Sequence, residues 1–172
     1  MKFYIETERL ILRELLPTDD YGIFELDSDT EVHSYLGNKP IESMKQAKES
    51  IEIIRQQYVT NAIGRWAVVE KSSNNFIGWA GLKLIKETIN NHSNYYDVGY
   101  RFIKRYWSKG YATEAAKASL AYGFNNLGLE CIYGMAHYDN KASRKVLEKA
   151  GLSYVETFDY NGESTDWFKI TN

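Results

Sequence analysis

The sequence predicts an α/β domain, of the α+β mixed-sheet kind, with helices on both faces of the sheet. Three observations predict it. Apolar Tyr96, Val98, Tyr100 and Phe102 alternate with Asp97, Gly99 and Arg101, which is the period of a strand. Ala112, Ala116, Leu120, Phe124 and Leu127 recur at three- and four-residue steps, which is the period of a helix. Through the middle of the chain such segments follow as strand, helix, strand, helix, strand, an order that favours a mixed sheet covered on both sides. With 172 residues, 44% hydrophobic and 26% charged, positions 1–172 read as one domain burying roughly 70% of its unfolded surface.

The elements follow in order. Leu10, Leu12 and Leu15 alternate with polar residues as a half-buried strand over 10–15, and Pro17-Thr18-Asp19-Asp20 stops it and caps a short helix carrying Tyr21, Phe24 and Leu26. Met44, Ala47, Ile51, Ile54 and Tyr58 place an amphipathic helix over 43–58. Strands over 66–70 and 76–84 are joined by the polar turn Ser72-Ser73-Asn74-Asn75, and 87–94 is a polar loop. After the helix that Gly128 stops come a strand over 131–137, a helix from Asp139-Asn140 to Gly151, and strands over 152–159 and 167–170 around the hairpin signal Asn161-Gly162.

A net charge of -2 argues against whole-surface attraction to nucleic acid, so an anionic ligand must be held locally. No stretch approaches the ~20 apolar residues of a membrane span. One cysteine forms no internal disulfide, which suits a reducing, cytoplasmic location. No His/Cys/Asp cluster has metal-ligand spacing. Aromatics make up 15% of the chain, either as surface tyrosine or as the wall of a cleft.

In Arg101-Phe102-Ile103-Lys104-Arg105-Tyr106-Trp107-Ser108-Lys109-Gly110-Tyr111-Ala112-Thr113-Glu114 a strand runs into a small-residue turn that opens a helix. First-turn N–H groups and the positive end of the helix dipole face such a turn. Gly110 lets a bulky anion approach, Ala112 keeps the next position small, and Arg101, Lys104, Arg105 and Lys109 add positive charge, so a pyrophosphate fits. An ordinary strand-to-helix connection with solvated cations reads the same. Neither a Walker A string nor G-x-G-x-x-G is present.

Trp107-Ser108-Lys109-Gly110-Tyr111-Ala112-Thr113-Glu114-Ala115 resembles the acetyl-CoA-binding turn of the GNAT N-acyltransferases, and Asn140-Lys141-Ala142-Ser143 their following N-x-x-S helix. Together with Thr7-Glu8-Arg9-Leu10-Ile11-Leu12-Arg13, the likeness points to the ribosomal-protein, RimJ/RimL-like branch and covers nearly the whole chain. The resemblance implies a mostly antiparallel sheet splayed at the CoA site. It implies that backbone N–H groups of 108–113 hold the CoA pyrophosphate and that the strand over 98–103, with Val98, Tyr100 and Phe102, leaves its neighbour and pairs with the pantetheine. Trp107, Ser108, Lys109, Gly110, Tyr111, Ala112, Thr113, Asn140 and Ser143 complete the cofactor-binding set. The commonest family consensus has Gln or Arg where Trp107 stands, and branch members often have Gly where Ser108 stands.

Moving acetyl from a thioester to an amine needs a proton acceptor, an oxyanion site and a proton for the thiolate. His33, His92 and His137 lie in unrelated segments and read as surface or packing residues. Asp97 is the base candidate, directly or through water, against its reading as a solvated strand residue or a partner of Arg101. Family geometry implies an oxyanion-binding backbone N–H near 99–101, freed by a strand bulge. The tyrosine that many members carry seven residues after the asparagine is Leu147 here, and the branch resemblance puts Ser143 in its place as proton donor; capping the helix is its other reading. Cys131 reads as buried packing rather than as a ping-pong nucleophile.

The function read from the sequence is direct acetyl transfer from acetyl-CoA to a primary amine, possibly a protein N-terminus, with no metal, by a monomer or homodimer. A polyamine or aminoglycoside acceptor is the rival within enzymes, and a CoA-binding sensor or interaction module the rival outside them. The acceptor is expected to be chosen by residues 18–58 and 87–94.

Overall fold

A computed structural model describes residues 3–172. Its twelve main elements are β1 Phe3–Glu6, β2 Leu10–Arg13, α1 Asp20–Ser28, α2 Met44–Asn61, β3 Trp66–Glu70, β4 Asn75–Ile85, β5 Tyr95–Phe102, α3 Tyr111–Leu127, β6 Cys131–His137, α4 Lys141–Ala150, β7 Ser153–Tyr160 and β8 Glu163–Thr171. The strands form one sheet in the order β1-β2-β3-β4-β5-β6-β8-β7, antiparallel throughout except between β5 and β6. α3 and α4 pack on one face, and α1 and α2 lie on the other.

Turn chemistry explains most boundaries. Asn161 and Gly162 both take positive φ, as a tight hairpin between right-twisted strands requires. Asn90 and Asn91 do the same inside the 87–94 loop, where Ile89 and His92 exchange backbone hydrogen bonds of 2.8 and 2.9 Å. Ser43 caps α2 by accepting from the Gln46 N–H, and the Gln46 side chain returns the bond to Ser43. Asp19 accepts from the Leu16 N–H and from Arg13, ending β2 at Arg13 rather than at residue 15.

Two further elements differ from the sequence expectation. β1, absent from it, is a four-residue edge strand that folds back on β2, too short to show a period of its own. β8 begins at Glu163 rather than 167, because polar residues 163–166 pair with β7, and Thr165 and Asp166 with β6 as well.

The main core gathers Leu10, Leu12, Leu15, Trp66, Ile77, Leu82 and Ile132, all nearly inaccessible. Trp66 stacks on Tyr4 at 5.1 Å and meets the edge of Tyr122 at 5.0 Å, fixing the N-terminal hairpin to α3. No helix among the described residues is long and apolar enough to cross a membrane.

The feature that positions the site is a gap in the middle of the sheet. β4 and β5 are in register from Gly78↔Phe102 to Ile85↔Tyr95, whereas β5 and β6 share the single pair Asp97↔Tyr133 and diverge beyond it.

Candidate active site

β5 feeds the glycine-containing turn at the mouth of this gap. After a 3-10 turn at Lys104–Tyr106, Ser108 (φ +59°) and Gly110 (φ +80°) occupy the left-handed region, and Gly110 is the N-cap of α3. Left-handed backbone at Ser108 accounts for the glycine that branch members often carry there. No side chain caps α3, and its first intrahelical bond runs from the Glu114 N–H to the Gly110 carbonyl at 3.1 Å. The N–H groups of Tyr111, Ala112 and Thr113 therefore have no partner within the helix. Tyr111 turns its own hydroxyl to Glu70.

Arg9, from the β1–β2 turn, clamps this loop. Its Nη1 donates to the Lys109 carbonyl at 2.9 Å, its Nε pairs with Glu114 at 2.7 Å, and its guanidinium lies 4.5 Å from the Tyr111 ring centroid. Burial alone would raise the Glu114 carboxyl, but hydrogen bonds from Thr7 and Arg9 outweigh it and hold the group below the usual carboxylate range. Trp107 is a strap: its indole N–H donates to the Phe102 carbonyl at 2.7 Å, where that carbonyl has lost its strand partner.

The expected cationic surround is corrected by the structure. Arg101 pairs with Asp27 at 2.7 Å, Lys104 with Glu31 at 2.7 Å, and Arg105 with Glu25. The acidic end of α1 and the residues after it lie against the end of β5 and neutralise these three. Lys109, over the Tyr106 ring at 5.2 Å, and Arg9 remain beside the turn.

The expected β5 bulge is corrected too, since β4 and β5 run without a register shift. Free N–H groups come from the splay instead. Because the Ile103 N–H donates to Ile77 on β4, strand alternation directs the N–H groups of Tyr100 and Phe102 toward the gap.

Across the gap, the α4 face of β5 carries Val98, Tyr100 and Phe102. The Tyr100 hydroxyl lies 2.9 Å from the Ser143 carbonyl and 3.0 Å from Ser143 Oγ, and burial pushes the phenol above its ordinary pKa. Asn140, not Ser143, caps α4, accepting from the Ser143 N–H at 3.1 Å. Leu147 is core, packed toward Gly134.

The opposite face of β5 is ionic. Asp97 is neither solvated nor paired with Arg101; it is buried against Arg65, a residue the sequence reading did not single out. Arg65 Nη1 donates to the carbonyls of Gly81 at 2.6 Å and Asp97 at 2.7 Å, and Nη2 donates to Asp97 Oδ2. A Cβ on Gly99 would stand 2.6 Å from Nη2, so a side chain here would displace the guanidinium from its present position. Burial pushes the Asp97 carboxyl up and Arg65 pulls it back, leaving it raised. Among the described residues, Oδ1 has no hydrogen-bond partner.

Residues 29–43 roof this side. Glu31 ties them to Lys104 at the β5 end, and Tyr35 lies 5.2 Å from the ring of His137 at the β6 end. His137 pairs with Glu163 at 3.0 Å; His33 is buried beside Asp27, and His92 packs among Tyr95, Tyr133 and Trp167. Cys131 sits at the opposite end of β6 from the gap. The described residues hold no group of three or more metal-type side chains.

A sheet split beside an uncapped, glycine-containing helix start is an architecture suited to an acyl-CoA ligand, and residues 9–153 match the "Acetyltransferase (GNAT) domain" family model. The chain belongs to the GNAT family of N-acetyltransferases, which use acetyl-CoA. It is 33% identical over 148 residues to the "Uncharacterized N-acetyltransferase YoaA" of Bacillus subtilis, covering 86% of this chain and 81% of that one. Among solved structures, a ribosomal-protein-S5-alanine acetyltransferase from Vibrio fischeri superposes with a TM-score of 0.75 at 19% identity over 98% of this chain and 96% of that one. A spermidine N-acetyltransferase from Vibrio cholerae, in complex with CoA and spermine, gives 0.75 at 23% over 96% of each. These two likenesses carry the fold.

Proposed function

We propose that the chain transfers acetyl from acetyl-CoA directly to a primary amine in a ternary complex within a single 1–172 domain. The backbone of 108–113 holds the pyrophosphate. The β5 edge carrying Val98, Tyr100 and Phe102 runs along the pantetheine, and Asn140 and Ser143 stand at the sulfur. The observation that carries this reading is the gap between β5 and β6, which opens beside the uncapped start of α3 and is walled by Ser143. The acceptor enters on the Asp97 face, opposite CoA, and the Tyr100 N–H receives the carbonyl oxygen as charge builds on it. Asp97 takes the amine proton through its unpartnered oxygen, its raised pKa making it a better match for an ammonium than an ordinary carboxylate.

A monoamine, such as a protein N-terminus in the manner of the RimJ/RimL-like branch, fits this face better than a polyamine or aminoglycoside. The free oxygen of Asp97 serves one ammonium, and Asp27 is already held by Arg101, so this pair of carboxylates offers no second ammonium site. A single cysteine suits the cytoplasm as the location. The test is thiol release from acetyl-CoA against N-terminal peptides, polyamines and aminoglycosides. Turnover with peptides supports the reading, turnover confined to polyamines overturns the acceptor assignment, and CoA binding without turnover on any amine returns the chain to a sensor.

A further inference from the structure

We propose that the Tyr100 hydroxyl is the proton source behind Ser143, so that a phenol on β5 supplies, through the α4 serine, the proton that the departing thiolate takes up. The inference rests on the acetyl-transfer reading above. It begins from a mismatch of acidities. A free thiol titrates near 8.5 and a free phenol near 10; burial raises the Tyr100 phenol, and it would raise an aliphatic hydroxyl in the same place too, which starts as a far weaker acid than either. Ser143 alone would protonate a thiolate steeply uphill, and general-acid catalysis is most effective when donor and acceptor are closely matched.

The geometry supplies the missing partner. Leu147 has no hydroxyl to offer from α4, and the Tyr100 phenol reaches Ser143 from the opposite wall of the gap. Its single proton has two partners at nearly equal distance, the Ser143 carbonyl at 2.9 Å and Oγ at 3.0 Å. Donated to the carbonyl, it leaves the phenol oxygen to accept from the serine. Donated to Oγ, it frees the serine proton for sulfur. Burial keeps the phenol protonated through the neutral range, so the proton is in place until the sulfur acquires charge.

The step balances. The C–S bond of the tetrahedral intermediate breaks and its electron pair stays on sulfur. The Oγ proton passes to sulfur, the Tyr100 proton passes to Oγ, and water reprotonates the phenolate. Tyr100 acts through Ser143 and is in this sense a positioning residue.

Tyr100→Phe, Ser143→Ala and the double variant, measured in the full chain with one accepted amine, separate this role from packing. Tyr100→Phe is expected to lower kcat at least tenfold with the CoA Kd within twofold of wild type. The double variant should be no slower than Ser143→Ala, since both substitutions cut one relay. The wild-type solvent isotope effect should show two protons in flight, and Tyr100→Phe should remove one. Wild-type kcat in Tyr100→Phe, or losses that add in the double variant, would overturn the inference. Should Tyr100→Phe not fold, 3-fluorotyrosine at position 100 keeps the hydroxyl while lowering its pKa, and an unchanged kcat would overturn the relay equally. A wild type that acetylates no amine overturns the acetyl-transfer reading and this inference with it; an active wild type matched by its Phe variant overturns this inference alone.

Discussion

The two faces of β5 are built on opposite electrostatic plans. Toward α4, Val98, Tyr100 and Phe102 present apolar surface and one neutral hydroxyl pair with Ser143. Toward α1, Asp97 and Arg101 are locked into buried or half-buried ion pairs with Arg65 and Asp27, and Trp79 lies beneath both guanidinium groups at 5.5 and 5.0 Å. Neutral hydrogen bonds can be exchanged for a ligand at little cost, whereas buried charge cannot be left alone. The α4 face is thus suited to a long, mostly neutral chain, and the α1 face to holding one proton and one orientation.

The sharpest way to break this contrast is to remove one charge. Arg65→Met should cost about 3–5 kcal/mol of stability, because it strands the Asp97 carboxylate, and replacing Asp97 by Leu in the same chain should restore much of it. The matching deletion on the other face, Tyr100→Phe, should cost only about 1 kcal/mol. Urea unfolding of the variants reads both values, and equal losses would mean that the faces do not differ in kind.

Next in size is the catalytic consequence. Wild-type kcat/KM should rise from neutral to alkaline pH as free amine accumulates, and Asp97→Asn should lower it by about 10²-fold at the acid end, where a proton acceptor is needed most. The deficit should narrow as pH rises. Parallel profiles within about twofold of each other would reduce Asp97 to the counter-ion of Arg65.

A comparable effect lies at the turn. CoA at 100 times its Kd should stabilise the wild type by roughly 2.7 kcal/mol, and Gly110→Val should abolish the melting shift while the apo protein still folds. The branched side chain would force φ +80° on a β-branched residue and occupy the path of the pyrophosphate. A retained shift would move the pyrophosphate elsewhere. The smallest effect is at Ser108, where glycine should add about 0.5–1 kcal/mol by relieving a left-handed serine, with no change in the CoA-induced shift; calorimetry distinguishes a gain from a loss.

What could be read from the sequence divides along the same two faces. The turn at Gly110 and the start of α4 at Asn140 were legible because a turn and a helix start are local and tolerate few residue types, whereas the role expected of Ser143 came from the family resemblance. Asp97 was legible as a charge on a strand, but its partner was not. Arg65 lies 32 residues away and Asp27 lies 74 from Arg101, and nothing local couples them. The one signal was a glycine at the centre of β5, which proved to be the space that Arg65 fills. Likewise, Arg101, Lys104 and Arg105 looked like a phosphate cradle because their counter-ions sit on an element far back in the chain.

The parting of β5 from β6 has a consequence for how the sheet meets other chains. Besides its outer edges at β1 and β7, the sheet carries two interior edges, whose backbone groups lie in mid-sheet with no strand beside them. Amides there should exchange with deuterium as those of a border strand do, although the residues belong to the centre of the fold. An unpaired edge also invites a foreign strand, and the usual defences of lysine, proline or a bulge are missing from the 98–102 stretch of β5. Guarding falls instead to the segment over 29–43, anchored by Glu31 at Lys104 on one lip and by Tyr35 at His137 on the other.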